Sequence, residues 1–285
     1  MKSSNKKVTI AVPVSIISDV PHLREKTLKI GIIGRAAAIF RVNEIIVYPD
    51  NIKINQKRSR NLIAILLAYM ETPQYLRKRL FKIKPELKYA GILPPLRTPH
   101  HPLASHSSEL NVGEYREGVV LSVNDKGSIV DIGLERHALL ETKFLQINKR
   151  VTVKITQLGR HPKVDLSKKG EIEQYWGYTV TTSKTSFGNI LQTNKYDLVV
   201  ATSKIGAPIT EISNKLTERW KKANKILVAF GAPSKGLQEI ASQEKLKLED
   251  VTDFVVNTIP KQGTETVRTE EALYASLAIL NNITK

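Results

Sequence analysis

The feature that most restricts the fold is a change of periodicity partway along the chain. From Glu114 to Leu166 the apolar residues come in short runs, Gly118–Val123, Gly127–Gly133, His137–Leu140 and Val151–Leu158, with turn residues at Asn124–Gly127 and Gly133. Val151-Thr-Val-Lys-Ile-Thr-Gln-Leu158 alternates cleanly, as a half-buried strand does. Four or five short strands in about 55 residues suit a small β-barrel such as the OB-fold. Outside this block, strands and helices alternate. Strands are expected at Val8–Ile17, Glu44–Tyr48, Gly177–Thr181, Asp197–Ala201, Lys225–Phe230 and Phe254–Val256. Helices are expected at His22–Val42, Asn55–Glu71, Phe187–Asn194, Ile209–Thr217, Leu237–Lys245 and Arg268–Asn281. Such alternation predicts an α/β fold with a parallel sheet. The Pro-dense stretch Tyr89–Pro102 reads as a linker at a boundary. Residues 1–92 and 172–285 are therefore expected to form one discontinuous domain, with 93–171 inserted into it.

Two details of the first domain stand out. Ser18, Asp19 and Pro21 supply side-chain acceptors and an early Pro, the signature of a helix start. Gly31–Phe40 is small and apolar nearly all round, which implies burial on several sides or close approach of another element. Arg35 lies inside it, where it either meets a ligand, or snorkels to solvent or pairs with a core carboxylate. In the linker, His100 and His101 invite a metal reading. Adjacent histidines do not converge on one point of a regular element, and no metal is expected.

Charge narrows the partners. The 285-residue chain carries 44 Lys and Arg against 27 Asp and Glu, a net +17, which favours a nucleic acid. Lys57, Arg58 and Arg60 open one helix, and Arg77, Lys78 and Arg79 follow with Lys82 and Lys84. These residues make either a phosphate-binding face or a solvated helix surface. With no cysteine, disulfides, thiol catalysis and cysteine zinc sites are excluded. No apolar run is long enough to span a bilayer, and Met1–Lys7 lacks the pattern of a signal peptide. A cytoplasmic location is expected, with no membrane partner.

Three strand ends carry loops of similar character: Ala201–Gly206, Ala229–Gly236 and Asn257–Thr266. Small residues and glycines at adjacent strand ends open a crevice that backbone amides can line. Gly231-Ala-Pro-Ser-Lys-Gly236 lacks the ending and spacing of a Walker loop, and there is no Gly-x-Gly-x-x-Gly or Gly-x-Ser-x-Gly element. A nucleotide hydrolase, a dinucleotide enzyme and a serine hydrolase are all disfavoured.

Six stretches together resemble a known family. They are Leu23-Arg-Glu-Lys-Thr, Ile33-Gly-Arg-Ala-Ala-Ala, Leu93-Pro-Pro-Leu-Arg-Thr-Pro-His-His, Tyr175-Trp-Gly-Tyr, Phe230-Gly-Ala-Pro and Asn257-Thr-Ile-Pro-Lys-Gln-Gly-Thr-Glu-Thr-Val-Arg-Thr-Glu-Glu-Ala. The last is long enough to be highly specific. The chain is similar, over essentially its whole length, to the archaeal and eukaryotic branch of the SPOUT-class RNA methyltransferases, in which an OB-like domain interrupts the catalytic domain.

The resemblance implies an α/β fold with a C-terminal trefoil knot, a homodimer with sites near its interface, and S-adenosylmethionine held bent by the knotted loops. Carried onto this sequence, the cofactor loops are Thr202 and Ser203; Phe230, Gly231, Ala232, Pro233 and Gly236; and Asn257, Ile259, Pro260, Gly263, Thr264 and Val267. They coincide with the three loops found from composition. A polar or basic residue would then orient the RNA base as it loses a proton. Arg35 and Arg268 are the candidates, while Glu270 and Glu271 read better as favourable first-turn carboxylates of the last helix. The expected activity is methylation of a base in RNA, ribosomal RNA above all, with uridine N3 as the suggested acceptor. The competing class is a non-catalytic RNA-binding factor of ribosome assembly.

Overall fold

A computed structural model describes residues 6–51, 53–142 and 145–284. The chain divides into two compact units. The first takes residues 1–68, 86–94 and 178–285; the second takes 69–85 and 95–177.

The first unit is built on a six-stranded sheet. Its strands are β1 (Lys7–Pro13), β2 (Glu44–Tyr48), β8 (Thr179–Thr182), β9 (Leu198–Pro208), β10 (Lys225–Ala229) and β11 (Phe254–Asn257). Their order is β11-β9-β10-β1-β2-β8, and every neighbouring pair is parallel. The inner strands are continuous apolar runs because both faces are covered. Ile10, Ala11 and Val12, for example, are fully buried. On one face Ala11, Ile46, Leu227 and Ala229 pack with residues of α4 (Phe187–Thr193), α6 (Leu237–Gln243) and α7 (Leu248–Val251). Three further helices, α1 (Leu23–Ile39), α5 (Ile209–Lys222) and α8 (Thr269–Ile283), complete this unit, and α2 (Lys57–Glu71) begins in it.

Local chemistry shifts two predicted boundaries. The run Val8–Ile17 is a strand only to Pro13; Val14–Ile17 then turns, because the amide and hydroxyl of Ser15 both bond the Asp50 carboxylate. Helix α1 starts at Leu23, with His22 at its cap and no side-chain cap bond. Asp19, expected to cap, instead holds the buried Lys29 ammonium at 2.7 Å from each oxygen. A buried ammonium left without a carboxylate would cost far more than a missing cap. The small face of α1 has its reason too. A Cβ at Gly31 would come 2.8 Å from Pro94 Cδ and 3.0 Å from Leu93 Cδ2, so a larger residue would push that segment away.

The second unit is a closed barrel of β3 (Tyr115–Asn124), β4 (Gly127–Asp131), β5 (Ala138–Leu140), β6 (Arg150–Gln157) and β7 (Lys163–Ser167), in the order β3-β4-β5-β7-β6. All pairs are antiparallel except β5–β7. Val120, Val130, Leu140, Val153, Ile155 and Val164 belong to its core cluster. Helix α3 (Gln74–Leu80) belongs to this unit, where its Arg79 pairs with Asp131 at 2.7 Å. His100 and His101 serve the structure of this unit. Their Nε2 atoms lie 2.9 and 2.7 Å from the Glu71 carbonyl, an end of α2 that lacks a helical partner.

Candidate active site

The carboxyl ends of β10, β9 and β11 lie side by side, and the chain leaving each contributes to one cavity of about 320 Å³. Strand β9 does not end at Ala201 as the sequence suggests. Val255 pairs with Ala201 and the next residue, Val256, pairs with Ala207, so five residues, 202–206, swing out of the ladder before pairing resumes. This excursion works like a large bulge and aims its side chains away from the sheet. Gly206 closes it where two backbones nearly touch. A Cβ there would lie 2.7 Å from the Val255 carbonyl oxygen and 2.8 Å from the Val256 carbonyl carbon.

Hydrogen bonds tie the three loops to one another. Thr202 Oγ1 donates to the Ala229 carbonyl at 2.9 Å, and Asn257 Nδ2 donates to the Lys204 carbonyl at 2.8 Å. Lys204 Nζ reaches the Glu265 carbonyl at 2.9 Å. The β10 loop is anchored from below and above: Phe230 N donates to Ala11 O at 3.0 Å, and Thr269 Oγ1, at the start of α8, donates to Gly231 O at 3.0 Å. Thr258 and Ser276 hydroxyls meet at 2.7 Å, fixing the β11 loop against α8. The cavity is thus preorganised by backbone and small polar groups.

Most predicted cofactor residues come together here. Thr202, Ser203, Phe230, Gly231, Ala232, Pro233, Gly236, Asn257, Ile259 and Val267 line the cavity; Pro260, Gly263 and Thr264 lie outside the lining. A Cβ added at Gly236 meets no atom within 4 Å, so this lining position accepts a side chain without a clash. The sequence reading missed Gln238 and Glu239 on α6, and Thr269, Ala272 and Ser276 on α8. The α8 trio follows helical spacing with small or hydroxyl side chains, a stripe visible in the sequence. Among the described residues the lining holds no His, Asp or Cys. It can bind and orient a partly apolar ligand with hydrogen-bonding edges, and it offers no His- or Cys-based nucleophile.

The predicted arginines lie elsewhere. Arg35 is half-buried on α1; burial raises the pKa of the Tyr274 hydroxyl on α8, and the Arg35 charge opposes that shift. Arg268 is exposed at the α8 cap, where its N–H donates to Glu271 Oε2 at 2.9 Å. Glu271 is therefore the first-turn carboxylate expected. Glu270 instead turns inward, 3.3 Å from Lys29 Nζ. Of the basic candidates, Arg60 donates to the Ser183 carbonyl at 2.8 Å. Arg77 bonds the Thr72 and Met70 carbonyls at 2.9 and 3.1 Å and lies over the Tyr69 ring. Lys57, Arg58 and Lys78 are exposed. Among the described residues no group of three or more His, Asp or Glu is placed to hold a metal ion. No helix among them is long and apolar enough to cross a membrane.

The profile of the family described as "Putative RNA methyltransferase" matches residues 7–280. The chain belongs to this family. Among its relatives is a "28S rRNA (uridine-N(3))-methyltransferase" of Drosophila melanogaster, 35% identical over 98% of this chain and 62% of that protein. The chain thus spans less than two thirds of the fly protein's length. The human protein of the same name is 32% identical over 96% of this chain and 77% of its own. A Halobacterium salinarum protein described as uncharacterized is 33% identical over 95% of this chain and 98% of its own length. The family match runs through all three cavity loops, so the loop geometry belongs to a region shared with RNA methyltransferases.

Proposed function

We propose that this chain is an S-adenosylmethionine-dependent methyltransferase of the SPOUT class that modifies N3 of a uridine in ribosomal RNA. The observation that carries the reading is the single cavity made by three strand-end loops. The names of the fly and human relatives supply the substrate class. The residues fit the cofactor: small and apolar side chains such as Ala232, Pro233, Ile259 and Val267 alternate in the wall with hydrogen-bonding groups such as Thr202, Asn257 and Gln262. Thr202, Phe230–Pro233, Asn257, Ile259 and Val267 are the residues that would hold it. When bound, S-adenosylmethionine supplies an electrophilic methyl group. The chain's part is to position the acceptor against it, which supplies much of the rate in such transfers. Methylation at N3 releases the N3 proton, and a guanidinium facing the base favours its anionic form. Arg35 and Arg268 are assigned that role.

Three further readings belong to this proposal. The swing of residues 202–206 and its bonds to Asn257 and Glu265 support a trefoil knot. The barrel order, with its one parallel pair, supports an OB-like domain, taken as residues 93–171 inserted between 1–92 and 172–285. Exposed apolar residues along α1, Leu28 and Ile39 at 49% and 48%, support a homodimer through that helix. A cytoplasmic location, RNA contacts from Lys57, Arg58, Arg60, Arg77, Lys78 and Arg79, and cofactor contacts from Ser203, Gly263, Thr264 and Pro260 complete it.

N3 lies on the pairing edge of uridine, so its methylation stops reverse transcription. Ribosomal RNA from a strain lacking the gene, incubated with the protein and S-adenosylmethionine, is expected to gain one such stop. Arg35→Ala protein is expected to give none. Methyl incorporation at another atom would replace the N3 assignment, and none into any RNA would leave an RNA-binding assembly factor.

A further inference from the structure

Two hydroxyls hold consecutive peptides of the β10 loop. Tyr48, the last residue of β2, donates its phenol to the Phe230 carbonyl at 3.1 Å, and Thr269 of α8 donates to the Gly231 carbonyl at 3.0 Å. Thr269 lines the cavity, whereas Tyr48 is fully buried and takes no part in the lining. Its ring packs on Phe187, with 5.4 Å between centroids. A phenylalanine would fill that space without the cost of burying a hydroxyl, so what the tyrosine adds is this one bond. Burial first, then the Asp50 and Glu244 carboxylates, raises the Tyr48 pKa, and the phenol keeps the proton it donates.

The bond fixes which way the next amide points. Phe230 N donates to the Ala11 carbonyl of β1, and the Phe230 carbonyl accepts from β2, so both its polar groups face the β1 side of β10. Along an extended parallel strand these groups alternate sides from residue to residue, which turns those of Ala229 and Gly231 towards β9. The Ala229 carbonyl duly accepts from Thr202 of β9, and the Gly231 carbonyl from Thr269 in the cavity wall. Strand β9 has left the ladder at residues 202–206, so Gly231 N–H has no hydrogen-bond partner among the described residues. Gly231 lines the cavity and is only half-buried, which leaves it open to a ligand. We infer that Tyr48 is a positioning residue of the cofactor cavity, holding the Phe230–Gly231 peptide so that Gly231 N–H donates to the bound ligand. The inference rests on the cofactor reading above and adds to it a residue that acts from outside the wall.

The sequence supplies a direct probe. Its two Phe-Gly pairs are Phe187-Gly188 and Phe230-Gly231, so carbonyl-labelled Phe with nitrogen-labelled Gly isolates two amide signals in the NMR spectrum. Gly188 N–H donates to Glu244 Oε2 at 2.9 Å and lies outside the lining, which makes it the internal reference, identified by its shift in Glu244→Gln. On adding S-adenosylhomocysteine to wild-type protein, the Gly231 signal is expected to move downfield while that of Gly188 stays. In Tyr48→Phe the Gly231 signal is expected to shift in the free protein, and calorimetric affinity for the compound to fall about threefold to tenfold. Phe187→Leu loosens the packing of the Tyr48 ring but keeps its hydroxyl, and is expected to lower the melting temperature with affinity near wild type. Equal losses of affinity in the two variants would give Tyr48 a purely structural role and overturn the inference. So would wild-type affinity in Tyr48→Phe, or binding to wild-type protein that leaves the Gly231 signal in place, a result that decides the matter even if Tyr48→Phe does not fold. All three leave the cofactor reading intact, whereas no binding by folded wild-type protein would overturn both.

Discussion

Glu71 is almost fully buried, and the groups around it keep it ionised. Burial raises its pKa, but the His100 hydrogen bond and the Arg150 and Lys169 charges outweigh that and bring it down to about 2. Arg150 holds it with two nitrogens at 2.6 and 3.2 Å and reaches Glu117 at 2.5 Å. His101 is lowered too, which for a basic group disfavours the charge: burial first, then the neighbouring His100, brings it to about 4. Both shifts make acid destabilising, in separate windows. The unfolded chain takes up the His101 proton below its ordinary pKa of 6.5, so stability falls from there towards pH 4. The Glu71 contribution is complete above its ordinary 4.5 and is lost as pH falls towards 2. Urea midpoints are expected to decline already between pH 6.5 and 4 in wild type, and to decline less across that window in His101→Gln. Parallel curves would contradict the assignment. None of this was legible in the sequence. The two histidines read as linker residues because their partner carbonyl lies 29 and 30 positions upstream and is reached only by folding.

At the scale of elements, periodicity located most strands and helices because the inner strands are continuous apolar runs and the helices carry regular apolar faces. It failed where backbone meets backbone. The swing of residues 202–206 leaves no apolar signature, and only Gly206 hints at it. Alanine at Gly206 would press a methyl against the Val255 carbonyl at 2.7 Å, and neither strand can retreat without breaking their pairing. Overpacking of this kind costs about 1–3 kcal/mol. Gly206→Ala is expected to lower stability in urea by that amount and to weaken ligand binding in the cavity. Wild-type stability would contradict the close approach. The cavity itself was legible from glycines and small residues at three strand ends, whereas the Thr269, Ala272 and Ser276 stripe of α8 was passed over because the charged first turn of that helix drew the reading.

For the whole molecule, the excess of positive charge is distributed between two roles. Arg60, Arg77 and Arg79 are tied to protein carbonyls or a carboxylate, Arg79 while still exposed, and Lys57, Arg58 and Lys78 are exposed as well. Sequence counts treat all six alike, and only the fold shows that three of them also hold the protein together. Combined replacement of Lys57, Arg58 and Lys78 by Ala is expected to lower RNA affinity and to reduce the salt slope by about 0.7 for each phosphate no longer neutralised, without altering the melting temperature. Arg77→Ala, which removes bonds to the Thr72 and Met70 carbonyls, is expected to lower the melting temperature. An unchanged salt slope in the triple variant would exclude these three residues as RNA contacts.

The central claim is that three strand-end loops form one S-adenosylmethionine site. Calorimetric titration of wild-type protein beside Gly236→Trp tests it most directly, because Gly236 lines the cavity and a Cβ there meets no atom within 4 Å. Binding by wild type that is abolished in a variant of equal melting temperature is the expected result. Equal binding by both proteins would place the cofactor elsewhere, and no binding by folded wild-type protein, with or without RNA, would contradict the methyltransferase reading.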